Sequence, residues 1–175
     1  MKRRLSAFLS MFLLFATEAQ SAKWNNTEDG AEISIGGYDL AVQCFPERDG
    51  YFLRLRFDVP TSLIHDGWRN STAVELHYAI DQGNEEPKSL GFALYDDFRL
   101  SAELPRSTVN IRNVEAYNVA KALVKAKKNI LVWVSSVGET HHYNLVEFPA
   151  KGAGEAIGHH LNRCKKAVEK AKQAQ

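Results

Sequence analysis

Residues 51–59 read YFLRLRFDV, and the fold follows from them. Tyr51, Leu53, Leu55, Phe57 and Val59 alternate with Phe52, Arg54, Arg56 and Asp58. A period of two with one apolar face is the signature of a half-buried β-strand. The other face carries two guanidinium groups, Arg54 and Arg56, beside Phe52. Such a mixed basic and aromatic face is either solvated or binds a partner or glycan. If the strand pairs with the one holding His77 and Glu75, those side chains join the same surface. Arg54 and Arg56 are therefore candidate binding residues.

Working outward, turn signals bracket further short apolar runs. AEISI and YDLAVQCF flank Gly36-Gly37, a hairpin signal. PERDG (46–50) is a second turn ending in Asp-Gly. After a loop at 60–71 that holds Trp68, Val74, Leu76, Tyr78 and Ile80 alternate with polar or small residues. Leu90, Phe92 and Leu94 predict another strand, and Phe98, Leu100, Ala102 and Leu104 one more, with Tyr95-Asp96-Asp97 turning between them and Pro105 ending the run. Near residue 113 the period changes. Val114, Tyr117, Ala120 and Val124 recur at helical spacing, with Asn113 as N-cap and Lys121, Lys125, Lys127 and Lys128 on other faces. NILVWVSSV and HHYNLVEF are two closing strands. A last helix follows Gly152 and Gly154 over about 155–170, and the terminal KKAVEKAKQAQ (165–175), with high helix propensity and little apolar surface, is expected to fray. The fold class read from this pattern is α+β: mainly an antiparallel β-sandwich of about eight short strands, with two helices (about 113–128 and 155–170) packed on it.

The N-terminus is read as an address. Lys2-Arg3-Arg4 precede an uncharged run, LSAFLSMFLLFA (5–16), and small residues follow at Ala19, Ser21 and Ala22. A basic end, a short apolar run and a small-x-small site make a secretory signal peptide. The run is shorter than the ~20 residues a membrane-spanning helix needs. Residues 1–21 are thus the expected leader, cut after Ser21 or Ala22, and 22–175 a single globular domain. The expected location is the periplasm or the medium. The leader removes three basic and one acidic residue, so the net charge falls from +1 to −1. A chain this close to neutrality has no global field to draw in nucleic acid or anionic lipid, and nucleic acid is not an expected partner.

Two cysteines remain, Cys44 and Cys164. Exported chains keep disulfides, and two cysteines allow one intramolecular pairing. Cys44 shares a strand face with Tyr38, Leu40 and Val42. Cys164 extends the helical stripe Ile157, Leu161, Cys164, Val168. A bridge would staple the last helix to an early strand and contribute about 4–5 kcal/mol through loop closure. The rival reading is a reactive thiol or a metal ligand with His160, but one His and one Cys fall short of a zinc set.

The remaining chemistry is sparse. The six histidines are His65, His77, His141, His142, His159 and His160. Neighbours in each pair diverge, so a three-histidine metal site would need one from each pair plus His77; no metal or cofactor is expected. Asp96-Asp97 and Glu85-Glu86 read as turn carboxylates, not a glycosidase pair. No G-x-S-x-G, G-x-G-x-x-G or phosphate-loop motif occurs. Gly152-Ala153-Gly154 fits close packing better than anion binding.

The C-terminal third, with its helix, NILVWVSSV, HHYNLVEFPAKG and closing GEAIGHHLNRC, resembles small exported proteobacterial envelope proteins of the invasion-associated locus B type. That resemblance implies a non-enzymatic envelope or host-interaction role, and it carries over no functional residues. The expectation is a non-catalytic exported binding protein whose partner is an envelope or host protein, with no catalytic residue assigned. The alternatives are a secreted hydrolase with loop-borne residues, such as His141 or His142 with Asp96 or Asp97, and an inhibitor- or immunity-like protein presenting Trp68 as an anchor.

Overall fold

The computed structural model describes residues 22–47, 50–60, 62, 73–81, 94–97, 99–100, 106–136 and 143–173. Their chain order is β1 (Asn25–Asn26), β2 (Gly30–Ile35), β3 (Tyr38–Glu47), β4 (Gly50–Pro60), β5 (Ala73–Ile80), β6 (Leu94–Asp97), β7 (Arg99–Leu100), β8 (Arg106–Arg112), α1 (Asn113–Val124), β9 (Asn129–Ser136), β10 (Tyr143–Pro149) and α2 (Ala153–Gln173). The class is α+β, dominated by antiparallel strands. The first sheet has the order β1-β2-β3-β4-β8-β7 and the second β10-β9-β5-β6.

β4 is the strand read from 51–59, and it lies inside the first sheet between β3 and β8. Its apolar side is sealed: Phe57 and Val59 have no exposed surface, and Leu53 and Leu55 are buried. The same side carries Leu40, Val42 and Cys44 of β3 and Ala31 and Ile33 of β2, brought level by antiparallel register. Gly36 and Gly37 make the β2–β3 turn with φ of 56° and 86°. Two successive positive φ values define the hairpin turn whose twist matches the strands, and glycine adopts them without a Cβ clash.

In the second sheet Leu76 and Tyr78 of β5, Ile130, Val132 and Val134 of β9, and Val146 and Phe148 of β10 form the buried side. Phe57 of the first sheet meets Phe148 of the second edge to face, with ring centroids 6.3 Å apart. Tyr38 stacks on the same Phe57 at 6.0 Å. Both helices pack on the first sheet and on each other. At their junction a Cβ on Gly154 would stand 3.0 Å from the Val124 carbonyl oxygen, which explains glycine there as a close-packing residue. A bulge interrupts β10 between Tyr143 and Val146, with Asn144 at φ 52°.

The disulfide joins Cys44 of β3 to Cys164 of α2 across 120 residues, with Cα atoms 6.1 Å apart. Four local expectations change: the first helix, expected over about 113–128, ends at Val124, and residues 125–128 turn into β9. Arg106–Arg112, read as no element, is β8 and pairs with β4 along its length. Tyr95-Asp96-Asp97, read as a turn, belongs to β6 and pairs with β5. The C-terminal tail does not fray after residue 170, because α2 continues to Gln173. The leader (1–21), Leu90 and Phe92, and the 63–70 loop with Trp68 lie outside the described residues. Among the described residues no helix is long and apolar enough to cross a membrane.

Candidate functional site

Alternation along β4 sends Arg54, Arg56 and Asp58 to the face opposite Phe57, and register decides what they meet. Gln43 stands beside Arg54, Ala41 beside Arg56, and Asp39 beside Asp58. Arg54 Nε and Nη2 both donate to Gln43 Oε1, at 3.1 and 2.7 Å. Its guanidinium carbon lies 4.5 Å from the Phe45 ring centroid, a cation–π contact. Ala41 has no long side chain, so Arg56 reaches across it toward Glu32 of β2, at 3.7 Å. Arg56 Nε also lies 3.2 Å from Asp58 Oδ2. The two arginines are thus held in fixed positions by neighbours on three strands.

This face is less open than alternation alone implies. Asp39, Gln43 and Asp58 are 9%, 7% and 6% exposed, and Ala41 is fully covered. The Arg56 side chain keeps 24% of its surface. The anticipated extension of the face by His77 and Glu75 does not occur. β5 belongs to the second sheet, and β4 pairs with β3 and β8.

His77 and Glu75 instead form a separate polar group on the second sheet, on the side opposite Leu76, Tyr78, Val132 and Val134. His77 stacks on Trp133 with centroids 5.5 Å apart and 7° between planes. Its Nε2 lies 2.7 Å from Ser135 Oγ and 3.6 Å from Glu75 Oε2. The residue types are those of a hydrolytic triad, but the geometry differs. A relay needs the hydroxyl and the carboxylate on opposite ring nitrogens, whereas here both approach Nε2. Ser135 is also fully buried. The group is a cross-strand polar clasp.

A third region lies where the described chain begins. Ala22–Asn26, Pro149, Lys151, Gly152, Glu155 and Ala156 enclose an open cleft of about 860 Å³. Trp24 is 4% exposed, and its indole N–H donates to the Pro149 carbonyl at 3.0 Å. It fills space and anchors the N-terminal segment, and offers no stacking platform. Farther along α2, Arg163 donates to the Glu28 carbonyl. Between them His160 is buried, and neither ring nitrogen finds a hydrogen-bond partner among the described residues. Burial holds its pKa below the usual imidazole range, with the charge of Arg163 and then His159 adding to the effect. Among the described residues no three His, Cys, Asp or Glu side chains gather as a metal set.

Of the residues singled out from sequence, Arg54 and Arg56 stand together and Cys44 and Cys164 are joined. Trp68, His141 and His142 lie outside the described residues, as do the side chains of Asp96 and Asp97. The Trp24 anchor and the Ser135 contact were not read from sequence. Trp24 follows the expected cleavage site in a polar stretch, and Ser135 sits in an apolar strand where a serine reads as a spacer. Comparison with protein families, with characterised proteins and with solved structures finds no match for this chain.

Proposed function

We propose that the chain is an exported, non-catalytic binding protein of the bacterial envelope, located in the periplasm or secreted. The observation that carries the binding role is the pair Arg54 and Arg56, fixed on a polar sheet face by Gln43, Phe45, Glu32 and Asp58. Guanidinium groups held in place lose little entropy on meeting a partner's carboxylates. Export is supported by the basic-apolar leader at 1–21 and by the Cys44–Cys164 bridge, a bond that persists in oxidising compartments. The resemblance of the C-terminal third to envelope proteins of the invasion-associated locus B type points the same way. The hydrolase alternative gains no support from Ser135 and Glu75, because both crowd the same nitrogen of His77.

The fold that goes with this reading is a sandwich. Eight of the described strands have four or more residues, and the Phe57–Phe148 contact brings the two sheets' buried sides together.

The test has two arms. The chain is expressed with a C-terminal tag in a bacterial host, cells are fractionated, and the tagged protein's N-terminus is read by mass spectrometry. A periplasmic or secreted protein beginning at Ala22 or Lys23 is expected, and a cytosolic protein retaining Met1 would overturn export. The same protein is then cross-linked to envelope extract. Arg54→Gln/Arg56→Gln should lose the captured partner while Lys166→Gln keeps it. Equal capture by both would remove the arginine face from the function.

A further inference from the structure

Six exposed lysines, Lys23, Lys121, Lys125, Lys127, Lys128 and Lys151, come from three segments distant in sequence. The fold gathers them at one end. Lys121 follows Tyr117 by four residues on the exposed side of α1, and Lys125, Lys127 and Lys128 continue from it in the turn to β9. The Ala150 N–H donates to the Lys128 carbonyl at 3.1 Å, which sets Lys151 beside that turn. Lys23 and Lys151 line the same cleft.

Among the described side chains the acidic groups there include Asp81, Glu147 and Glu155, and the first two are engaged. Asp81 accepts from the N–H groups of Lys127 and Lys128, at 2.8 and 2.6 Å. Glu147 accepts from the Asn129 amide at 2.8 Å. Tyr117 is 46% exposed, with the Lys121 ammonium 5.4 Å from its ring centroid. Exposed tyrosine among lysines is the composition that favours a bilayer interface. The mature chain is close to neutral, so any attraction must be local, within a Debye length of about 8 Å at physiological salt.

We propose that this end of the molecule docks on a surface of anionic phospholipid headgroups. The choice of lipid over nucleic acid rests on the export reading; the convergence of lysines does not. Each lysine near such a surface strengthens binding roughly fivefold.

The test uses protein purified from an exporting bacterial host and sedimented with vesicles. One set is phosphatidylcholine and the other phosphatidylcholine mixed with phosphatidylglycerol. The wild type should prefer the anionic vesicles, and added salt should weaken that preference. Lys125→Glu/Lys128→Glu/Lys151→Glu should bind them about tenfold or more weakly. The charge-matched control Lys165→Glu/Lys166→Glu/Lys170→Glu, on the far half of α2, should stay within about threefold of wild type. If the glutamate triple fails to fold by circular dichroism, the corresponding glutamine triple replaces it. Equal loss in both triples, no preference for anionic vesicles, or tighter binding of duplex DNA at the same lysines would overturn the proposal. A chain retaining its leader would sink the export reading alone. The leader adds equally to every variant, so the ratio between triples stays readable.

Discussion

At the scale of single residues, two titratable groups set opposite ends of the acid response. Asp81 takes a left-handed backbone, φ 56°, and its carboxylate caps the turn after α1. The backbone N–H of Lys128 does most to hold its pKa below the usual carboxylate range, and those of Lys127 and Asn129 add to it. Its stabilising effect is complete above the unfolded value of ~3.9 and is lost as pH falls through the lower folded value. Asp81→Asn should therefore lower Tm at neutral pH, where the carboxylate's effect is complete, and flatten the dependence of Tm on pH below about 4, both read from thermal melts. His160 works in a higher window. Its folded pKa is depressed by burial, so the unfolded chain binds more protons below ~6.5 and stability falls as pH drops from there. His160→Leu should remove that slope between about pH 5 and 7. A slope that survives the substitution assigns it to another group.

At the scale of elements, legibility in sequence tracked how much apolar alternation each segment carried. The 51–59 strand and both helices could be read because their periodicity is uninterrupted. β8 could not: Arg106, Ser107, Thr108, Asn110 and Arg112 leave only Val109 and Ile111 as apolar signals, and Pro105 looks like an end. It is a strand because β4 offers it a full hydrogen-bonding edge, so tertiary pairing overrides local propensity. α2 outlasts its apolar stripe because its last turns are lysine, alanine and glutamate, good helix formers. The Arg54/Arg56 face was legible, but its partners depend on register, which a single strand does not encode. Of the lysine end only the basic side formed by Lys121, Lys125 and Lys128 was legible; that Lys151 and Lys23 join it depends on the Lys128–Ala150 hydrogen bond and the Trp24 anchor. The disulfide is the firmest tie between elements. Cys44→Ser/Cys164→Ser should lower unfolding stability by about 2–5 kcal/mol in urea titration. A loss well under that range would mean that Trp24 and the α2 packing already hold the helix.

For the whole molecule, the question is how two sheets share one interior. Phe57 and Phe148 are both fully buried and meet edge to face. Truncating either to alanine should cost about 3–5 kcal/mol. A double-mutant cycle should return a coupling of roughly 0.5–1.5 kcal/mol if the rings bind the layers together. Strict additivity would mean that the sheets are stabilised independently. The strand β10 lies at the rim of the second sheet and is interrupted near its start by the bulge at Asn144. Beyond the bulge only Val146–Pro149 keeps an unbroken edge, and Pro149 brings no N–H to it, so a neighbouring chain finds little to pair with. Copies brought to high concentration should therefore find little on that side from which to seed a fibril.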